Sequence, residues 1–171
     1  MSKKSLKREV DKMSREQLEE MILQAYESRK DFREYLEYFV NPNPAKLFEK
    51  SLAQLAKECQ RGNRGRSKAR ITVIRKVISD FKSYEPGDED VCRLMLAAIE
   101  IMFTSSRKFK MTDTLERGFV RLVNECIDMA DRAGCLTPVL EDLHGFTESS
   151  KGAYWCRSLI HKTLVAEKGF E

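Results

Sequence analysis

Val91-Cys-Arg-Leu-Met-Leu-Ala-Ala-Ile-Glu-Ile-Met-Phe103 decides the fold class. Arg93 and Glu100 are its only charged residues. They stand two helical turns apart, so they share one narrow stripe with Ala97 between them. The rest of the cylinder is apolar. A helix apolar nearly all round is a buried one. At thirteen residues the stretch is too short to span a bilayer. It is therefore expected at the centre of the molecule, near 88–104, with other helices packed around it.

Reading outward toward the N-terminus, Asp88, Glu89 and Asp90 place negative charge on the first turn of this helix, where the backbone dipole favours it. Pro86-Gly87 breaks the helix before it. That helix is expected from an N-cap at Ser67 and shows Ile71, Ile74, Val77, Ile78, Phe81 and Tyr84. Asn43-Pro44 is an N-cap followed by proline at the first helical position. Phe48, Leu52, Leu55 and Cys59 follow it at helical spacing, and Gly62 is the expected stop. Asp31 is expected to cap a helix carrying Phe32, Tyr35, Leu36, Phe39 and Val40, which ends at Asn41-Pro-Asn-Pro44. Ser14-Arg-Glu-Gln17 reads as a capping box flanked by Met13 and Leu18 as a hydrophobic staple. A short basic helix is expected over 5–13.

Toward the C-terminus, residues 104–111 read as a loop. Asp113 with Glu116 reads as a further capping box, opening the longest helix, to about Ala133, with Gly134 as its stop. Leu115, Phe119, Leu122, Cys126 and Met129 form one stripe of it, and Val120, Val123, Ile127 and Ala130 a second beside it. Thr137-Pro138 is expected to start a short helix closed by Gly145, and Ser149 or Ser150 to start the last. No useful stretch alternates with period two. The fold class is all-α: an irregular bundle of about eight to nine helices, arranged as helical hairpins with partly solenoid-like stacking. It is read as a single domain over 1–171, an N-terminal hairpin at 1–41 followed by helices over 44–168.

Of the 171 residues, 34% are charged, above the usual quarter, which suits helical surfaces laced with ion pairs. Eight glycines and four prolines are too few for an all-β chain. The five cysteines form no Cys-x-x-Cys pair and read as small core residues. No signal-peptide pattern opens the chain and no stretch reaches transmembrane length. A cytoplasmic location without membrane contact is the expectation.

Charge is most uneven from Lys57 to Lys76. Eight basic residues stand there against Glu58 alone, +7 within a chain of net +4, leaving −3 elsewhere. Arg61, Arg64, Arg66, Lys68, Arg70 and Arg75 are the candidate anion or nucleic-acid contacts. Gly62 and Gly65 free the backbone to aim N–H groups at an anion, and the helix start beyond them adds its positive end. The run lacks Gly-Lys-Ser/Thr and a preceding strand, so it is no P-loop. A solvated loop whose arginines pair with acids is the plainer reading.

Catalytic and metal signatures are weaker. Glu141-x-x-His144 has di-iron ligand spacing, but His161 has Ser158, not Glu, three residues before it, so the second pair is missing. His144 before Gly145 reads as a C-terminal cap. Cys156 and His161 lie five apart and share no helix face. Arg93 and Glu100 are expected to pair with neighbouring helices. Tyr35, Tyr38, Phe39 and Phe48 flank the Asn-Pro-Asn-Pro turn as core residues, and become a recognition surface only where Tyr35 or Tyr38 is exposed. No catalytic residue, cofactor or metal is assigned.

Ser14-Arg-Glu-Gln-Leu-Glu-Glu-Met-Ile-Leu, Asn41-Pro-Asn-Pro with Lys46-Leu-Phe-Glu49, and Ile78-Ser-Asp-Phe81 before the acidic Pro-Gly turn resemble a bacterial family of helical domains of unknown function. The resemblance implies a bacterial, intracellular protein and supplies no site residues. The expected function is a non-enzymatic helical interaction module with a protein partner or a second copy of itself. Nucleic-acid or phosphate binding through 57–76 is the alternative.

Overall fold

A computed structural model describes residues 1–59, 70–109 and 112–168. Among these residues there are nine α-helices, one 3-10 turn and no strand. The helices are α1 (Lys3–Val10), α2 (Arg15–Ser28), α3 (Lys30–Val40), α4 (Pro44–Glu58), α5 (Ile71–Lys82), α6 (Asp88–Ser105), α7 (Asp113–Arg132), α8 (Leu136–Glu148) and α9 (Tyr154–Lys168), with the 3-10 turn at Ser106–Lys108 between α6 and α7. The chain divides into two compact units, Met1–Asn43 and Pro44–Glu171.

In the larger unit α6 is the buried centre. Leu94, Met95 and Ile99 are wholly shielded from solvent, and α4, α5, α7 and α8 pack against this helix. α7 buries both of its stripes, including Phe119, Leu122, Val123, Cys126 and Ile127. Ile71 of α5 presses so closely on α7 that a Cβ at Gly118 would lie 2.5 Å from it. Only a glycine admits that approach. Arg93 lies with its guanidinium 4.1 Å over the ring of Phe48 on α4 and pairs with Asp90 of its own helix at 3.8 Å. Glu100 faces solvent. The charged stripe of α6 therefore reaches α4 through an aromatic face, not through ion pairs to neighbouring helices.

Several helix starts differ from expectation. Ser14 does form the capping box, its hydroxyl accepting from the Gln17 N–H at 3.2 Å while Gln17 Oε1 accepts from the Ser14 N–H at 2.9 Å. Ser2 and Ser5 form a second such box one helix earlier. The N-cap of α3 is Arg29, and Asp31 sits inside the first turn. For α7 it is Thr112, whose hydroxyl accepts from the Leu115 N–H at 3.2 Å. Asp113 then occupies the first turn, where its charge favours the helix dipole. Ser67 lies outside the described residues, and α5 begins at Ile71 with Arg70 as N-cap.

The C-terminal corrections have a tertiary cause. α8 continues through Gly145 to Glu148, a tolerated glycine that costs about 1 kcal/mol in a helix interior. His144 is therefore not a C-terminal cap; it lies 4.0 Å from Glu148 one turn on. α9 starts at Tyr154, not at Ser149 or Ser150. The chain between is pinned to the end of α6. The Ala153 N–H donates to the buried Ser106 hydroxyl at 2.7 Å, and Arg107 donates to the Ser150 carbonyl. At Gly152 a Cβ would run into the Phe103 ring.

Candidate functional site

The smaller unit, Met1–Asn43, presents apolar surface. None of α1, α2 or α3 contains a buried residue. Leu23 is 62% exposed, Tyr35 44%, Phe39 70% and Val40 75%, and Met21 and Ile22 are exposed as well. Tyr35 and Phe39 are thus surface residues, against the core reading, while Tyr38 is half-buried. The exposure of Tyr35 meets the condition under which this aromatic cluster becomes a recognition surface.

The α2–α3 hairpin is held at its joint by polar contacts. Arg33 donates from Nε to the Tyr26 carbonyl at 3.1 Å and from Nη2 to the Glu27 carbonyl at 3.1 Å, closing the C-terminal end of α2. Its guanidinium also lies 5.1 Å from the centre of the Tyr26 ring. Tyr26 donates to Glu37 at 3.0 Å, and that bond to a carboxylate raises the phenol above its ordinary value. The hairpin therefore has a defined shape in which Leu18, Ala25, Phe32 and Leu36 are half-buried and no residue is fully buried.

The basic run is the second candidate. Arg61, Arg64, Arg66 and Lys68 lie outside the described residues. Arg70 and Arg75 are described, and each meets a carboxylate. Arg70 makes a forked contact to Glu58, at 3.0 Å from Nε and 3.2 Å from Nη2, and Glu58 holds the guanidinium proton more tightly than usual. Arg75 donates to Glu125 of α7 at 2.7 Å, and Arg121 reaches the same oxygen at 3.0 Å. Burial pushes the Glu125 carboxyl up, but the two guanidiniums outweigh it and hold it below its ordinary value.

Arg75 stands in an open cleft between α5 and α7, with Lys76 and Lys82 on one wall and Glu125, Asp128 and Arg132 on the other. Its volume is about 590 Å³. One guanidinium nitrogen of Arg75, Nη1, is buried there without a hydrogen-bond partner. Sequence periodicity did not pair α5 with α7, so this cleft was not visible in the charge run alone.

The remaining motifs separate. Cys156 is buried and His161 exposed. Among the described residues no group of three His, Cys, Asp or Glu side chains is placed to hold a metal ion. Nor is any described helix long and apolar enough to cross a membrane.

No curated protein and no solved structure matches this chain. A family model does, over residues 1–140, from the start of the chain to the second turn of α8. It takes in the exposed hairpin, the basic run and the central helix together, and on that match the chain belongs to the family of unknown function DUF6155.

Proposed function

We propose that this chain is a non-enzymatic interaction protein that self-associates through the apolar face of α2 and α3. The observation that carries the reading is the absence of any buried residue in α1–α3, despite Met21, Ile22, Leu23, Tyr35, Phe39 and Val40. Helices of 14 and 11 residues are marginal in water on their own, and most helical stability comes from packing an apolar face. Large apolar side chains left exposed on two paired helices are candidates for covering by a partner, and aromatic residues and methionine are enriched at interfaces.

A second copy is the occupant best supported. Two α2–α3 hairpins brought together make a four-helix bundle, a common way to bury such faces. Residues 1–43 carry nine Lys and Arg against nine Asp and Glu, so two copies meet without net repulsion. The charges are also segregated. Lys3, Lys4, Lys7 and Arg8 lie on α1, and Glu16, Glu19 and Glu20 on α2. In a twofold interface residue i of one copy meets j of the other and j meets i, so the basic α1 of each copy can lie against the acidic α2 of its partner. Light scattering coupled to size exclusion tests this. A dimer at tens of micromolar that becomes monomeric in Phe39→Asp with Ile22→Asp supports the reading; a monomeric parent overturns it.

A second reading, binding of phosphate groups, is favoured by the α5–α7 cleft and the unpartnered Nη1 of Arg75. Labelled oligonucleotides should then bind at low salt and lose affinity in Lys82→Gln with Arg132→Gln. For every phosphate these side chains no longer neutralise, the log–log salt slope on duplex DNA should fall by about 0.9. No binding at low salt removes this reading.

A further inference from the structure

Three of the five cysteines, far apart in sequence, converge at one end of the large unit. Cys126 on α7 and Cys92 on α6 face each other, each thiol 4.0 Å from the other's carbonyl oxygen. Cys135, the residue before α8, brings its sulfur to 3.7 Å from that of Cys92. Cys126 and Cys92 are buried, whereas Cys135 is partly open to solvent. The three sulfurs thus run from interior to surface, with Cys92 in the middle. We propose that Cys92 and Cys135 are a redox-sensitive pair that closes to a reversible disulfide, stapling α6 to the turn between α7 and α8.

The geometry favours this pair over any other. Two sulfurs in van der Waals contact must approach to about 2.05 Å to bond. Cys92 is held within a packed helix, but Cys135 lies in the turn after α7, next to Gly134 at φ +70°. The turn supplies the movement. Cys126 and Cys92 both sit on helices of the packed core, where neither backbone yields easily.

A peroxide is the oxidant class that fits, because only Cys135 is accessible and a small reagent reaches it. The Cys135 sulfur attacks one peroxide oxygen, the O–O bond breaks, and water leaves, giving a sulfenic acid. The Cys92 sulfur then attacks the Cys135 sulfur, the S–O bond breaks, and the hydroxyl leaves as a second water with the Cys92 proton. Two thiols lose two electrons and two protons, and one peroxide becomes two waters. Burial raises the Cys135 thiol, which slows the first step. The neighbouring thiols of Cys126 and Cys135 outweigh burial and bring Cys92 down to about 7, which favours the second. Buried Cys59 and Cys156, raised to about 11 and about 12, are inert by comparison.

The test is oxidation of the purified full chain with hydrogen peroxide, followed by thiol titration and non-reducing peptide mass mapping. The expected result is loss of two of the five thiols and a single Cys92–Cys135 linked peptide, restored by a phosphine reductant. The oxidised chain should melt more than about 5 °C higher, because the bridge restrains the unfolded state. Cys135→Ser, at a partly exposed turn position, should fold normally, yield no linked peptide and melt at the same temperature with or without peroxide. A Cys92–Cys126 bridge, a bridge between two chains, sulfinic acid at Cys135 without cross-linking, or five surviving thiols would each overturn the proposal.

Discussion

α3 and α5 are built alike and end in opposite environments. They have 11 and 12 residues, and each carries an apolar stripe at helical spacing beside a charged face. α5 buries Ile71, Ile74, Val77, Ile78 and Phe81. α3 buries nothing, and Phe39 and Val40 are more than two-thirds exposed. The same local pattern serves as core in one unit and as surface in the other. An amphipathic stripe specifies that a face must be covered; it does not specify by what. In the unit Pro44–Glu171, α4, α6 and α7 cover α5. In the unit Met1–Asn43 three short helices leave no residue fully buried, too little chain to enclose a core.

The sharpest break of this contrast comes from truncating apolar side chains in both units. Ile99→Ala and Leu122→Ala should each cost about 2–5 kcal/mol, the penalty for a cavity in a packed core. Phe39→Ala should change the stability of the isolated chain by less than about 0.5 kcal/mol, as for an exposed site. Urea denaturation at a concentration that keeps the chain monomeric measures both. Comparable losses at Phe39 and Ile99 would show that α3 is covered within the monomer and would end the contrast.

Helix caps give a finer comparison, because the same chemistry occurs in both units. Ser14 caps α2 and Thr112 caps α7, each hydroxyl accepting from a backbone N–H at 3.2 Å. Replacing either by alanine removes about 1 kcal/mol of helix stability. In Thr112→Ala the loss should appear as a lower global unfolding free energy. In Ser14→Ala it should appear only as faster hydrogen exchange of the α2 amides, with core amides unchanged. A global loss of stability in Ser14→Ala, or none in Thr112→Ala, would contradict this comparison.

The smallest effect is electrostatic. Arg75 and Arg121 hold the Glu125 carboxyl below its ordinary value of 4.5, so its ionised form is favoured by folding. A group depressed in the folded state adds stability above its unfolded value and loses it as pH falls through the folded one. Between about pH 5 and pH 3 the parent should therefore lose stability that Glu125→Gln does not. The difference is at most about 1 kcal/mol, because the pair is open to solvent. Parallel stability curves for the two proteins across that range would show that the α5–α7 ion pairs contribute nothing.

Helix identity was legible where caps and periodicity agreed. Ser14 with Gln17, Asn43 with Pro44 and Gly87 before Asp88 all mark true boundaries. Boundaries failed where a neighbouring residue had equal chemistry, as Thr112 beside Asp113, or where a distant contact intervened. The start of α9 depends on Ser106 and Phe103, more than 40 residues earlier, and no local window contains them. The candidate sites show the same division. Arg70 and Arg75 stand out as charge in the sequence, yet their carboxylate partners Glu58 and Glu125 were matched to them only by folding.

By itself, then, the sequence determined that the chain is helical, that Val91–Phe103 is interior, and that Ile71–Phe81 and Leu115–Ala130 supply the faces around it. These follow from short-range periodicity and from transfer of apolar side chains out of water, which act residue by residue. Only the tertiary structure decided which stripes found cover, which arginines met carboxylates, and which cysteines came together. Those outcomes depend on pairings across long loops, where the backbone path sets distances of a few ångströms. Cys92 and Cys135 are 43 positions apart in sequence, and their sulfurs lie 3.7 Å apart in the fold.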